Sequence, residues 1–137
     1  MFNMREIICE IEINTSPETV FAFLTNFEAY PEFDPGIERV EITTPNKTGV
    51  GVKTHWTALR DGKAREWDEE VVGWRDDEYY AYRVGNREFP ASHTVTKTET
   101  GSKLTYVNRF SDKGMSIDIV KKRMETLLEH VKKHLEK

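Results

Sequence analysis

The end of the chain constrains its fold most. From Met115 to Lys137, the residues Ile117, Val120, Met124, Leu127, Leu128, Val131 and Leu135 recur at helical spacing. At roughly 100° per residue these seven fall within an arc of about 100°, the width of one buried helix face. The other side carries Lys122, Arg123, Glu125, Glu129 and Lys133, and no Pro or Gly interrupts the run after Gly114. Some 20 residues of helix span roughly 30 Å, the width of a small domain. A helix of that length, apolar on one side only, needs a broad apolar surface to lie on.

The preceding residues supply that surface as strands. Ile7, Cys9, Ile11 and Ile13 alternate with Ile8, Glu10 and Glu12, the period of a half-buried strand. The period breaks at Asn14-Thr15-Ser16-Pro17-Glu18. Ser16 is placed to cap a helix with Pro17 in its first position and Glu18 near the positive dipole end. Val20, Phe21, Leu24 and Phe27 give this helix an apolar side, and two prolines and a glycine between Glu28 and Gly36 leave room for another turn or two. From Ile37 onward the pattern is strands and turns. Val40 and Ile42 belong to one strand and Val50 to Leu59 to the next. Asp61-Gly62 carries the signature of a two-residue hairpin. Ala64 to Trp74, Glu78 to Val84, Ser92 to Thr98 and Lys103 to Phe110 follow, with turns at Asp76-Asp77 and Thr100-Gly101-Ser102. One strand, two short helices, six strands and one long helix form an α+β chain with the helix on one face of an antiparallel sheet. Residues 1–137 read as one domain, without repeat, linker or low-complexity segment. Seven strands wrapped around a helix must curve, and a curved sheet has a concave face.

Strand parity identifies what lines that face. In the stretch 66–71, Glu66, Asp68 and Glu70 belong outside, so Trp67, Glu69 and Val71 face in. By the same test Thr54, Trp56 and Ala58 point in while Lys53, His55 and Thr57 point out. Tyr80, Tyr82 and Val84 point in, as do Leu104, Tyr106, Asn108 and Phe110; on the Ser/Thr-rich strand the test leaves both faces open, and His93 and Val95 are taken inward, with Ser92, Thr94, Thr96 and Thr98 outward. A dry core of this size favours Leu, Ile, Val and Phe, because each buried polar atom needs a partner. Trp56, Trp67, Glu69, Tyr80, Tyr82, His93, Tyr106, Asn108 and Phe110 instead resemble the wall of a small-molecule pocket. Ile117, Val120 and Met124 would close it from the helix, while later helix residues pack on the first strand and early helices. The competing reading is a filled core whose tyrosine hydroxyls reach solvent at the sheet's end.

Glu69, His93 and Tyr82 are the candidates for chemistry. A carboxyl in an aromatic pocket has a raised pKa and can act as acid or base; alternatively it pairs with an Arg or Tyr and is structural. His93 can act as a base or simply bond backbone or solvent. Tyr80, Tyr82 and Tyr106 can polarise a ligand carbonyl or merely fill space. His130 and His134 have metal-binding spacing but sit on or near the polar side with no third ligand in support, and read as a solvated pair. No metal and no cofactor is expected, and the chain has no phosphate loop or nucleophile elbow.

The formal net charge of −4 argues against non-specific nucleic-acid binding. The basic pairs Lys121-Lys122 and Lys132-Lys133 lie among Glu125, Glu129 and Glu136 as a solvated mixed-charge face. A single cysteine, Cys9, excludes an intrachain disulfide. No stretch approaches the roughly 18 apolar residues of a membrane span, and the first residues lack a signal-peptide pattern. The expectation is a cytoplasmic protein without stable membrane insertion, a monomer or weak dimer.

Ser16-Pro17-Glu18-Thr19-Val20-Phe21, then Tyr30-Pro31-Glu32-Phe33, then Gly49-Val50-Gly51 resemble the START-like superfamily, also called SRPBCC or Bet v 1-like. Within it the chain is most similar to the polyketide cyclase/dehydrase-like and coenzyme Q-binding proteins, in element order as well as motif. The resemblance implies a helix-grip fold, a seven-stranded curved sheet around the C-terminal helix, with a deep cavity for lipids, sterols, polyketides or quinones. It implies no single activity, because the superfamily holds carriers, hormone receptors, cyclases and chaperone co-activators. The expected function is binding of a small hydrophobic molecule between sheet and helix. A polyketide cyclase/dehydrase-like or aldolase-type enzyme and a protein-interaction module are the alternatives.

Overall fold

A computed structural model describes residues 4–111 and 116–137; Met115, where the predicted helix begins, lies outside the described residues. The first alternating stretch forms β1 (Met4–Ile13), which buries Ile7, Cys9 and Ile13. Helix α1 (Pro17–Thr25) starts at Ser16, whose hydroxyl accepts the Thr19 N–H at 3.2 Å. A 3-10 helix over Phe27–Glu32 follows. Then come β2 (Ile37–Ile42), β3 (Lys53–Arg60), β4 (Lys63–Arg75), β5 (Tyr79–Val84), β6 (Ala91–Lys97), β7 (Ser102–Ser111) and α2 (Ile117–Leu135). The strands form one antiparallel sheet in the order β1-β7-β6-β5-β4-β3-β2, so α1 and the 3-10 helix connect its two edges. This is the helix-grip arrangement.

Two turns show how local chemistry sets the register. Asp61 and Gly62 have φ of 54° and 76°, and Arg60 pairs with Lys63, giving the two-residue hairpin that the Asp-Gly pair predicts. Strand β3 begins at Lys53 rather than Val50. Gly49 and Gly51 have φ of 94° and 97°, left-handed conformations open to glycine, and Val50 between them is 60% exposed.

The parity assigned to β3 and to β4 as far as Val71 holds: Thr54, Trp56, Ala58 and Val71 are buried, while Glu66, Asp68 and Glu70 are exposed. A bulge between Val71 and Gly73 then shifts the register, so the even-numbered Trp74 packs its ring 5.1 Å from Phe21. Facing outward does not always mean exposure. Ala81, Ser92 and Val107 form a cross-strand row on the outer face and are buried, being short side chains among longer neighbours. His55 also faces out. Its ring nitrogens lie 2.7 Å from Asp68 Oδ1 and 3.0 Å from Glu66 Oε1, and hydrogen bonds to these carboxylates raise its pKa.

Helix α2 buries Val120, Met124, Leu128 and Val131, with Leu127 and Leu135 half-buried against the core. Its C-terminal end is fastened to the end of β1 and the residue that follows it. Lys132 Nζ donates to the Glu12 carbonyl at 2.6 Å, and the Asn14 N–H donates to Glu136 Oε2 at 2.8 Å. His130 and His134 are not the solvated pair expected. The His134 ring packs 5.0 Å from Phe23 and 6.1 Å from Phe33, and His130 Nδ1 is buried without a hydrogen-bond partner. No helix among the described residues is long and apolar enough to cross a membrane.

Candidate ligand cavity

The β3–β4 hairpin sets Trp56 directly opposite Trp67, and their rings stack at 6.0 Å with planes 9° apart. Tyr30, from the 3-10 helix, meets the Trp56 ring edge-on at 5.0 Å, and Trp56 Nε1 donates to Thr54 Oγ1 at 2.8 Å. Trp56 is therefore sealed, and Trp67 presents the open face. Two residues on, Glu69 turns to the same side and accepts the Trp67 Nε1–H through Oε2 at 2.8 Å. From β5 and β7, Tyr82 and Tyr106 reach across β6, where the Tyr82 hydroxyl donates to Tyr106 Oη at 3.1 Å.

These side chains enclose a cavity of about 490 Å³ against α2, which contributes Val120, Met124 and Leu127. That lies within the size range of small-molecule sites. Asn108, Val84 and Ala91 complete the sheet side, and Arg60, Arg65, Arg87, Arg123, Asp34, Asp61 and Glu66 also line it. A smaller cavity of about 340 Å³ lies beside it, lined by Thr43, Lys53, Thr54, Asp68, Glu70, Arg83 and Gly85, and it shares only Glu69 with the first.

Seven of the residues expected to contact a ligand thus meet at one cavity: Trp67, Glu69, Tyr82, Tyr106, Asn108, Val120 and Met124. Five do not reach it. Trp56 is covered by Tyr30, and Tyr80 is wrapped by Phe21, Phe27 and Trp74. Phe110 is buried in the core, and Ile117, in the first turn of α2, is 38% exposed to solvent. His93 faces inward but lies beneath the tyrosines, 1% exposed, with rings 4.2 Å from Tyr106, 5.1 Å from Tyr80 and 6.0 Å from Tyr82.

Four arginines were missed. For Arg60 a signal existed: positions 54, 56, 58 and 60 share one parity, so the inward set of β3 continues into the residue read as the start of a turn. Arg123 belongs to the polar side of α2, and only its long side chain brings it to the cavity.

The electrostatics follow from this enclosure. Burial raises the Glu69 pKa to about 7, opposed by the Trp67 hydrogen bond and by Arg87 and Arg60, so near neutrality the carboxyl exists in both forms. Burial holds Tyr82 and Tyr106 above the usual phenol range, leaving neutral donors. Burial depresses the His93 pKa to about 3. The cavity can therefore sandwich a flat or flexible apolar body, exchange a proton near pH 7, and present cations at its margin. Among the described residues no group of three or more His, Cys, Asp or Glu side chains is placed to hold a metal ion.

Comparison with known proteins places this geometry in context. A sequence profile for the family described as "Polyketide cyclase / dehydrase and lipid transport" matches residues 4–136. An uncharacterized 17.2 kDa Streptomyces lincolnensis protein, from the melC2-rnhH intergenic region, is 29% identical over 93 residues. That alignment covers 68% of this chain and 58% of the Streptomyces protein, so the chain spans less than two-thirds of its relative. A START superfamily protein from Mycobacterium smegmatis superposes with a TM-score of 0.69 at 18% identity, covering 97% of this chain and 94% of that one. The di-domain ARO/CYC BexL, from the BE-7585A biosynthetic pathway, gives a TM-score of 0.77 at 13% identity, with 98% of this chain covering 50% of that one. At such identities the superpositions show the fold alone.

Proposed function

This chain belongs to the polyketide cyclase/dehydrase and lipid transport family, and from that membership we propose that it holds a small hydrophobic molecule, such as a lipid, quinone or polyketide, between the sheet and α2. The observation that carries this reading is the open space itself, with Trp67, Tyr82 and Tyr106 on one side and Val120, Met124 and Leu127 on the other. Native interiors are packed nearly as densely as organic crystals. A space this large between sheet and helix, with aromatic and aliphatic side chains on facing walls and charged groups at its margin, departs from that density and has room for a small molecule. Enclosing a ligand with about 200 Å² of apolar surface would gain roughly 5 kcal/mol before ordering costs.

Native mass spectrometry after gentle purification, followed by an NMR screen of lipids, quinones and aromatic polyketides, tests the reading. Met124→Trp should fill the space, weakening uptake by about tenfold or more. Its cost in stability should stay below the roughly 1–3 kcal/mol of overpacking a filled core. A variant that binds as before, or one that unfolds, would count against the cavity.

A second reading is an acid–base enzyme, favoured by one observation: Glu69 titrates at about 7 within reach of the cavity's aromatic wall. Such a group is poised to take or give a proton at neutral pH. Here Glu69→Gln should lower turnover by about 10²–10⁴-fold while ligand binding persists. Equal turnover in that variant excludes the role.

A further inference from the structure

The four arginines at the cavity lack the carboxylate partners that Arg39, Arg75 and Arg109 have. Arg109 pairs with Glu6 at 2.8 Å, Arg39 with Glu41 at 3.5 Å and Arg75 with Glu78 at 3.7 Å. Among the described residues, the side chains of Arg60, Arg65, Arg87 and Arg123 make no ion pair and no hydrogen bond, yet all four line one cavity. Carboxylates are not lacking there; most are engaged elsewhere. Asp34 Oδ1 accepts the Gly36 N–H at 3.1 Å, Glu66 faces His55, and Glu69 takes the Trp67 indole N–H. Asp61 sits in the exposed hairpin turn.

Arg60 is the most constrained of the four. It is half-buried, and its guanidinium lies 5.3 Å over the Trp67 ring, stacked on the cavity's open aromatic face. Stacking engages the face of a guanidinium and leaves its N–H edge free, the edge that grips a carboxylate or sulfonate with two hydrogen bonds. Burial, then repulsion from Arg123, lowers the Arg60 pKa, while Asp34, Tyr106 and Glu69 act against the shift, so these charges share one region. Arg60 is half-buried and Arg123 exposed beside it, and an anion joining the two would offset their repulsion.

We propose that the molecule held in the cavity is an amphipathic anion, its apolar body between Trp67, Tyr82 and Met124 and its acidic group at Arg60 and Arg123. The proposal rests on the cavity reading above and adds the class of ligand: an aromatic or aliphatic body ending in a carboxylate, sulfonate or phosphate. Arg87 and Arg65 would then supply long-range attraction that guides the anion in.

Two fluorescent probes with nearly the same body test it: 8-anilinonaphthalene-1-sulfonate, an anion, and N-phenyl-1-naphthylamine, its uncharged counterpart. The sulfonate should bind about tenfold tighter at low salt, a margin that one charge-assisted pair can supply. Arg60→Gln and Arg123→Gln should each cut that ratio to about threefold or less, and Arg60→Lys should keep most of it. Met124→Trp should weaken both probes together. Equal affinities, or a preference that survives both Gln variants, would overturn the anion proposal and leave the cavity reading intact. Probe binding that Met124→Trp does not weaken would overturn the cavity reading as well.

Discussion

Lowering the pH from 7 to 4 should cost this protein about 3 kcal/mol of stability through His93 alone, and His93→Phe should remove that loss. The ring is 1% exposed, its Nδ1 has no hydrogen-bond partner, and Tyr80, Tyr82 and Tyr106 surround it. Nothing in that environment compensates a positive charge, so burial pushes its pKa down to about 3 from the ordinary 6.5. The folded-state value lies below the unfolded one. Between the two, the unfolded chain binds the proton and the folded chain does not. The stabilisation is therefore complete above pH 6.5 and is lost as pH falls toward 3. Glu69 acts in the opposite direction: its folded value is raised, so its contribution is lost as pH rises from 4.5 through about 7. Both chains keep Glu69, so the difference between them isolates His93. Urea unfolding of the wild type and His93→Phe at pH 7, 5.5 and 4 gives the comparison. If the two stabilities fall in parallel, the histidine is not held neutral by its burial.

Gly101→Ala should destabilise the protein by about 3 kcal/mol, the upper end of what forced overpacking costs. A Cβ at this position would lie 2.4 Å from the Ile13 carbonyl oxygen and 2.7 Å from the Thr15 nitrogen. Both are backbone atoms at the end of β1, and neither can swing aside. Beside them the Ser102 hydroxyl donates to the Thr15 carbonyl at 2.7 Å, fixing the β6–β7 turn against the start of α1. Relieving the clash would strain that hydrogen bond and the Ile13–Ser102 pair next to it. Thermal or urea unfolding measures the loss. A cost below about 0.5 kcal/mol, usual for a surface substitution, would show that the two segments separate easily.

These two residues mark where the sequence stops being informative. Gly101 reads as a turn glycine, yet nothing in the local chain requires it to lack a side chain. The requirement comes from a segment nearly ninety residues away in sequence. His93 shares the inner face with Val95, since alternation has a period of two, but the Ser/Thr-rich strand leaves open which set that is. Alternation carries no information about depth. Whether an inward ring meets a ligand or is roofed over depends on which neighbours reach across it, here Tyr82 and Tyr106 from the flanking strands. Trp56 and Trp67 make the same point: they share a face and a register, and only Tyr30 arriving from the 3-10 helix seals one and leaves the other open. Arg123 is polar by its place on α2 and joins the cavity only through the length of its side chain.

By itself the sequence determined the elements, the inner face of most strands, the Asp-Gly hairpin and the buried stripe of α2. Those follow from periodicity and from backbone preferences that act within a few residues. The tertiary structure alone decided which inner side chains border empty space, which are sealed, and where the arginines gather. Those depend on contacts between segments far apart in the chain, where no local period applies.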